Sequence, residues 1–265
     1  MFKDINNLNF IKHGGETYRT QQKEKNNDDT VYVDLPENID KYYTPQYAGV
    51  ELLNDSILSS FYKQLEIPFY EKLDWSLPDY TKELAQYKLD IPRDRKIAII
   101  KLNTARREWL LTTRQCQDGY LSWCCKILKD AGYYTISICD IQENQEWITD
   151  KHVVDSDLKL HKGELGIYGT LELIRQASCV VSSSSFSIPA CVSTQTPLFL
   201  ILGGRLMYDG ISKTLHPSMD LNKIHYSQPT NPCRCSLNEH NCNKKIDDLD
   251  IKFFDFLRSI QKMDN

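Results

Sequence analysis

Residues 177–204, Ala-Ser-Cys-Val-Val-Ser-Ser-Ser-Ser-Phe-Ser-Ile-Pro-Ala-Cys-Val-Ser-Thr-Gln-Thr-Pro-Leu-Phe-Leu-Ile-Leu-Gly-Gly, hold the pattern that decides the fold. Cys179 to Val181 is an apolar, β-branched run that ends in four serines, and Leu198 to Leu202 is a second apolar run that ends in a glycine pair. The interval 187–195 has room for about three helical turns. Apolar runs without alternation are typical of parallel strands that are covered on both faces. The stretch therefore predicts strand, polar loop, helix and strand.

The four serines would lie at the carboxyl end of the first of these strands, where open α/β sheets bind their ligands. Backbone N–H groups at the start of the following helix, together with the hydroxyls, suit an anion. The alternative is a solvated turn and N-cap without a ligand, since serine is a favoured N-cap residue. The candidate binding residues here are Ser183, Ser184, Ser185 and Phe186.

Composition narrows the class of protein. A chain of 265 residues with 41% hydrophobic residues can form one large domain or two modest ones with a real core. Its net charge of −4 gives no global basic surface, so nucleic-acid binding would depend on a local patch or on one exposed nucleotide. No apolar stretch reaches the ~18 residues of a membrane span and the start lacks a signal-peptide core, so we expect a cytoplasmic protein. The nine cysteines are expected to be reduced core residues.

Residues 1–95 lack the repeating strand and helix pattern of an independent doubly wound domain and are predicted to form an N-terminal arm or reduced subdomain. His13, beside Gly14 and Gly15, is a candidate base on an active-site loop, and a simple surface turn is the alternative. Thr44-Pro45 predicts the start of a helix with a buried face that extends to Phe61.

Residues 96–265 are predicted to form a Rossmann-like, doubly wound parallel α/β sheet. Its first buried strand, Ile97 to Leu102, is followed by a local cluster of positive charge. Such a cluster past a strand end suits bidentate contacts with phosphate oxygens, although charge runs also form solvated faces. The candidate phosphate or sugar-binding residues are Lys101, Asn103, Arg106, Arg107 and Arg114.

A second predicted strand, Tyr134 to Cys139, ends before Asp140 and Glu143, either of which could accept hydrogen bonds from ribose hydroxyls. No glycine fingerprint follows the first strand, so a dinucleotide cofactor is not expected and no cofactor is required. The segment His161-Lys162-Gly163-Glu164 carries a histidine that could transfer protons near neutral pH. A hydrogen-bonded loop histidine is the alternative.

Residues 205–232 are predicted to be rich in loops, and a last helix from Ile246 to Ile260 is expected to pack on the sheet or on the N-terminal arm. Between them, four zinc-type ligands lie within ten residues: Cys233, Cys235, His240 and Cys242. Their spacing differs from the usual pair of Cys-x-x-Cys knuckles. Reduced packing cysteines or a disulfide are therefore favoured over a structural zinc ion.

Three segments carry a resemblance to a known family: Gly169-Thr170-Leu171-Glu172-Leu173-Ile174, Ala177 to Ser182, and Thr196-Pro197 before Gly203. In this order they resemble the C-terminal, donor-binding half of the ADP-heptose:lipopolysaccharide heptosyltransferase-like glycosyltransferases of GT-B fold. The resemblance covers about residues 96–262, including Arg107-Glu108-Trp109 and the late cysteines. The string from Arg106-Arg107-Glu108-Trp109 through Glu146-Trp147 and His161-Lys162-Gly163-Glu164-Leu165 also resembles phage-encoded members.

The resemblance implies an inverting, metal-independent glycosyltransferase that binds a nucleotide-diphosphate sugar. Arg107 would meet the diphosphate, Asp140 or Glu143 the nucleoside, and the serine loop the phosphates or sugar. The acceptor would be a cell-surface glycan or a modified base in phage DNA. Since the acceptor half, which normally supplies the base, is reduced, His13, Asp34 or a partner subunit would fill that role, and the chain could form a homo-oligomer.

The serine loop departs from the family pattern. Members carry Asn-Asp-Ser/Thr-Gly and a later histidine, whereas here Ser183, Ser184, Ser185 and Phe186 occupy the first four places and Pro189 replaces the histidine. The alternative function is therefore a catalytically degenerate module that binds a nucleotide, a nucleic acid or a protein partner.

Overall fold

Six parallel strands form the central sheet of the computed structural model, which describes residues 56–68, 71, 74–107, 110, 112–205, 210–233, 235, 237 and 239–263. The strands are β1 (Ile97–Lys101), β3 (Tyr134–Ile138), β5 (Leu158–Leu160), β6 (Cys179–Ser182), β7 (Leu198–Ile201) and β8 (Ile224–Ser227). Their spatial order is β5-β3-β1-β6-β7-β8, so the direction of winding reverses between β1 and β6. Strands β2 (Thr104–Arg106) and β4 (Glu146–Ile148) form a separate antiparallel ribbon. The predicted Rossmann-like, doubly wound sheet is confirmed.

Helices cover both faces of this sheet, because successive strand residues point to opposite sides and both sides are apolar. The helices are α1 (Ile57–Gln64), α2 (Thr81–Ala85), α3 (Tyr120–Asp130), α4 (Gly166–Gln176), α5 (Ser187–Thr194), α6 (Ile211–Thr214) and α7 (Leu249–Met263). Helices α3 and α7 pack on the face that carries Ile100, Val181 and Phe199. Helices α4 and α5 pack on the face that carries Ile99 and Val180. None of the described helices is both long and apolar enough to cross a bilayer.

Residues 177–204 fold as predicted. Its first apolar run forms β6, the interval after the serines forms α5, and the second apolar run forms β7. All four residues of β6 and all four of β7 are buried, and both strands pair in parallel with their neighbours on either side.

One prediction for the flanking segments is wrong and one is confirmed. The helix expected to continue from Thr44-Pro45 through Phe61 instead has a start at Ile57, since Ser56 is extended (φ −77°, ψ 161°) and its hydroxyl accepts the Ser59 N–H at 3.0 Å. The described residues of the segment 205–232 are mostly loop, as predicted, and they also include β8 on the edge of the sheet. Residues 1–55 lie outside the described residues, and the division at residue 95 stays a prediction.

The irregular segment before β1 lies across α4. Glu172 of α4 is 3% exposed, and its carboxylate accepts hydrogen bonds from Tyr80 N (3.4 Å) and from Arg175 Nη1 (2.8 Å). Arg175 Nη2 also donates to the Pro78 carbonyl at 2.7 Å. A buried carboxylate is tolerated here because its oxygens are paired. It ties the segment to the sheet domain.

The last helix packs on the sheet through stacked aromatic rings. Phe253 is fully buried, with ring centroids 5.1 Å from Phe199 and 5.4 Å from Trp123. The neighbouring Phe254 is 43% exposed and meets only the edge of this cluster, 6.2 Å from Trp123.

Phe253→Ala is expected to lower the free energy of unfolding by about 3–5 kcal/mol, because it removes a fully buried ring and leaves a cavity. Phe254→Ala is the matched control, and its cost should stay below about 1 kcal/mol. Urea unfolding followed by circular dichroism measures both. Equal losses in the two variants would contradict the packing of α7 described here.

Candidate functional site

The site is built around the carboxyl ends of β1 and β6, where the winding of the sheet reverses. Lys101, the last residue of β1, pairs with Ser182, the last residue of β6. Directly after these strand ends, Ser183 Oγ donates a hydrogen bond to Asn103 Oδ1, and both residues are buried. A crevice outside the strand ends at this reversal is the usual ligand site of open α/β sheets. Asn103 and Ser183, both predicted, therefore meet in the expected place.

The loop of residues 112–116 contacts the strand ends on both sides of β6. On the β1 side, Gln115 Nε2 donates to Thr104 O at 3.0 Å and Asn103 Nδ2 donates to Cys116 Sγ at 3.3 Å. On the β7 side, Gly204 N donates to Thr113 O at 2.9 Å. Since β6 lies between β1 and β7, this loop passes over the end of β6.

Gly203 allows this close passage. A Cβ atom at this position would lie 2.4 Å from the Arg114 carbonyl oxygen, a distance that backbone atoms cannot accommodate. Arg114 is thereby held beside the carboxyl end of β7, next to the serine loop. The glycine pair that the sequence marked only as a strand end thus has a packing role.

The serine loop between β6 and α5 has an unpaired hydroxyl. Ser184 is 6% exposed, and its Oγ has no hydrogen-bond partner in the part of the chain that the structure describes. Within that part, the backbone N–H groups of Ser184, Ser185 and Phe186 also make no hydrogen bond. Ser183 and Ser184 are buried, which argues against the solvated turn. Four donors at the start of a helix form an anion-binding arrangement.

The other loop side chains are placed differently. Ser185 Oγ lies 2.7 Å from Ser187 Oγ and accepts the Ser187 N–H at 3.3 Å, so this hydroxyl is already engaged. Phe186, at the N-cap position of α5, is 44% exposed. An exposed ring beside the anion-binding donors can stack on a planar ligand group.

The four basic candidates occupy three locations. Lys101 Nζ donates to the Leu102 carbonyl at 2.8 Å, and burial lowers the pKa of this lysine, although Cys139 and Asp140 act in the opposite direction. Arg106 lies in β2 opposite Glu146. The exposed Arg107 extends the ribbon by one residue, since its N–H donates a hydrogen bond to Gln145 O at 3.1 Å. Arg114 lies in the loop over β6. The sheet ends thus carry Lys101 and Arg114, and the ribbon carries the other two arginines.

Asp140 and the 161–164 segment meet at the carboxyl ends of β3 and β5. Asp140 forms an antiparallel bridge with Lys162, and Gly163 N donates to Cys139 O at 3.4 Å. The Glu164 carboxylate accepts the His161 and Lys162 N–H groups at 3.2 and 2.9 Å, so it holds the turn in place. Glu143 lies in the exposed turn before β4.

The His161 ring is tied to the interior of the sheet. Its Nε2 is 2.7 Å from Ser137 Oγ, which is 2.7 Å from Ser156 Oγ. Burial lowers the pKa of His161 below 6.5. Burial therefore favours the neutral form of the ring, against the opposing charge of Glu164. Burial also raises the pKa of Cys139 to about 11 and that of Cys116 to about 12, so neither thiol is a nucleophile near neutrality.

Several features of the site were not predicted. Gln115, Cys116 and the Gly203 contact have no local signal, since their roles depend on residues about 90 positions apart in sequence or on a neighbouring strand end. Neither the spacing of hydrophobic residues nor a sequence motif predicts these contacts. His13 and Trp109 lie outside the described residues.

Two further features lie away from the crevice. A cleft of about 760 Å³ opens at the amino edge of the sheet, and it is lined by residues of the segments 74–76, 192–195 and 218–222. It contains none of the candidate residues. Near the carboxyl end of β7, the ligand atoms of Cys233, Cys235, His240 and Cys242 lie within 4.8 Å of one another, an arrangement that can hold a metal ion.

The His161 environment gives a testable pH dependence. A histidine with a pKa lowered by burial destabilises the fold as the pH falls, because the unfolded chain takes up the proton first, at about pH 6.5. The free energy of unfolding should therefore decrease from pH 6.5 down to the folded-state pKa. We expect the His161 Cε1–H resonance, assigned by its loss in His161→Gln, to titrate below pH 6.5. The Ser137→Ala variant should keep a His161 titration midpoint below pH 6.5, because burial and not the Ser137 hydrogen bond lowers the pKa. A wild-type midpoint at or above pH 6.5 would contradict the effect of burial described here.

Comparisons with known proteins add the following. The sequence matches no protein-family model and no curated protein. Among solved structures, it is similar to the ADP-heptose LPS heptosyltransferase II of E. coli, with 10% identity and a TM-score of 0.45 over 71% of this chain and 54% of that chain.

Two further solved structures are similar. The dodecameric iron-containing heptosyltransferase TibC in complex with ADP-D-β-D-heptose has 15% identity and a TM-score of 0.49 over 86% of this chain and 61% of that chain. The family 9 glycosyl transferase from Veillonella parvula has 7% identity and a TM-score of 0.40 over 60% of this chain and 47% of that chain. The chain thus spans 54% and 61% of the length of the two heptosyltransferases. At these identities the similarity is one of fold alone.

Proposed function

We propose that this chain is a glycosyltransferase that binds a nucleotide-diphosphate sugar at the β1/β6 crevice and transfers the sugar to a hydroxyl group. One observation carries the proposal: the buried Ser184 hydroxyl and the N–H groups of Ser184, Ser185 and Phe186 have no partners among the described residues and lie where the sheet reverses. The resemblance of the sequence to heptosyltransferase-like enzymes names the class of ligand.

The unpaired Ser184 hydroxyl is an energetic reason for a ligand at this loop. A buried hydroxyl without a partner costs about 1–3 kcal/mol, and native proteins pair nearly all such groups. A phosphate oxygen would accept hydrogen bonds from this hydroxyl and from the helix-terminal N–H groups. The ligand-free fold therefore carries a cost that an anion would relieve, which favours a binding role for the loop.

The remaining candidates take roles around this anchor. Lys101 and Arg114 would contact the diphosphate from the strand ends, and Arg106 and Arg107 would approach it from the ribbon. Asp140 or Glu143 would accept hydrogen bonds from the ribose hydroxyls, beside the turn that contains Gly163 and Glu164. The exposed Phe186 ring would pack against the base or the sugar. None of these roles requires a cofactor.

In the proposed reaction, an acceptor oxygen forms a bond to the anomeric carbon as the bond from that carbon to the diphosphate oxygen breaks. The acceptor proton passes to a base, and the negative charge of the leaving diphosphate is stabilised by the arginines and the N–H groups of the serine loop. His13 and His161 are the proposed bases. His161 Nε2 is already hydrogen-bonded to Ser137 Oγ, so His161 would take the proton on Nδ1.

The acceptor side completes the proposal. The resemblance to heptosyltransferases favours a hydroxyl of a cell-surface glycan, and a modified base of phage DNA is the second candidate. Residues 1–95, a partner subunit or a second copy of the chain would supply the acceptor-binding surface. An acceptor panel that includes both glycans and hydroxymethylated DNA separates these possibilities.

Ser184→Ala is expected to weaken binding of the donor nucleotide roughly 10- to 100-fold, because a hydrogen bond to a charged oxygen is worth about 1.5–3 kcal/mol. Its ligand-free stability should stay equal or rise, since the unpaired hydroxyl is removed. A thermal-shift screen of nucleoside diphosphates and nucleotide sugars first selects the ligand, which at 100 times its Kd should stabilise the fold by ~2.7 kcal/mol. Isothermal titration then compares the variants.

The matched control is Ser218→Ala at the amino-edge cleft. Ser218 is also buried, but its hydroxyl is paired with His216 Nδ1 at 2.8 Å, so its loss should lower stability and leave donor affinity unchanged. Equal affinity in wild type and Ser184→Ala would refute the anchoring role of the serine loop.

Arg107→Ala separates an enzyme from a binding module. Because Arg107 is exposed, the variant should fold normally, yet donor affinity and release of nucleoside diphosphate should both fall about tenfold or more. Arg258→Ala is the control, since Arg258 is an exposed arginine paired with Asp255 on α7. Donor binding by wild type without diphosphate release, with every acceptor tried, would favour the degenerate module.

A further inference from the structure

A group of four potential metal ligands follows β8. Cys235 Sγ lies 3.3 Å from Cys242 Sγ, and His240 Nδ1 lies 3.4 Å from Cys242 Sγ and 3.5 Å from Cys233 Sγ. All four ligand atoms lie within 4.8 Å of one another. Zinc bonds of about 2.3 Å to sulfur and 2.0–2.1 Å to nitrogen in a tetrahedron place ligand atoms about 3.5–3.8 Å apart. The observed separations match this tetrahedron after small rotations.

From this geometry we propose that Cys233, Cys235, His240 and Cys242 bind one zinc ion as a structural site. Three thiolates and one imidazole form a ligand set that zinc uses in closed, four-coordinate sites. With all four positions filled by the protein, no position stays open for a substrate. The inference is independent of the proposed function.

The surrounding segment explains why a cross-link is needed here. Residues 228–248 connect β8 to α7 without a helix or strand among the described residues, and they exceed the ~12–15 residues beyond which unstructured connections are uncommon. Within the described part of this segment, the backbone hydrogen bonds are Thr230 N to Lys245 O and Cys242 N to His240 O, both 2.9 Å. A metal would supply the missing constraint.

The ligand group is also positioned to hold the segment against the sheet. Cys242 is buried, and a Cβ atom on Gly204 would lie 2.2 Å from its Cβ, so the cysteine side chain packs directly on the backbone just past β7. Thr113 Oγ1 donates to the Leu237 carbonyl at 2.8 Å, and Lys244 Nζ donates to the Thr112 carbonyl. The zinc would therefore fix the segment that supports the loop of residues 112–116.

The cluster is accessible to a metal ion. His240 is exposed, and Cys233 and Cys235 are partly exposed, so an entry path from solvent is present. The other six cysteines are buried, and they are dispersed in the core. Of the two alternatives favoured from the sequence, reduced cysteines and a disulfide, the structure has the first, since the described cysteines are all free thiols.

The test is the metal content of the full chain, purified under reducing conditions without chelator and measured by elemental analysis. We expect about one zinc per chain, and a large loss of zinc in Cys235→Ser and in His240→Ala. Because His240 is exposed, its variant is expected to stay folded. Cys125→Ser is the control: Cys125 is outside the cluster, its thiol contacts Asp155 O at 3.7 Å, and zinc content should not change.

A second measurement covers variants that fail to fold. Cobalt added to chelator-treated wild-type protein should give the visible absorption of a tetrahedral site with thiolate ligands, and chelation should lower the Tm of wild type. Zinc below about 0.2 per chain, an unchanged zinc content in His240→Ala, a disulfide between Cys235 and Cys242 in the reduced preparation, or stoichiometric iron in place of zinc would each overturn the proposal.

Discussion

The hydrogen bond between the buried side chains of Ser183 and Asn103 joins two strand ends at the point where the sheet reverses its winding. Loss of either partner would leave an amide or a hydroxyl unpaired in the interior, which costs free energy. The pair also fixes the loops that follow β1 and β6. Asn103 holds Cys116 in turn, and the loop around Cys116 passes over β6 to Gly203. The walls of the crevice depend on this one connection.

The core of the fold was predictable because its signals are local. Strands β1, β3, β6 and β7 are apolar runs that need burial on both faces, and the last helix repeats its apolar residues every three to four positions. Strands β5 and β8 were missed because they are the two edges of the sheet. Leu-Lys-Leu and Ile-His-Tyr-Ser are only partly buried, so neither forms a continuous apolar run. In this sheet, the edge strands therefore show a weaker hydrophobic pattern in the sequence than the central strands.

The candidate site was predictable in part for the same reason. Residues that directly follow a strand lie at the edge where parallel strands end, which brought together Lys101, Asn103 and the serines, and separately Asp140 with the 161–164 turn. The position of Arg106 and Arg107 was not predictable, since it depends on pairing between β2 and β4, about 40 residues apart in sequence. The passage of residues 112–116 over β6 likewise depends on a contact between Arg114 and Gly203.

The central claim is that a nucleotide ligand binds at the carboxyl edge of the sheet, above the Ser183–Asn103 pair. The most direct measurement is a map of amide shift changes in ¹⁵N-labelled protein titrated with the nucleoside diphosphate that stabilises the fold most. We expect the largest changes at Ser184, Ser185 and Phe186, with smaller ones at Asn103 and Arg114. Changes confined to the cleft lined by residues 74–76 and 218–222, at the opposite edge, would contradict the claim.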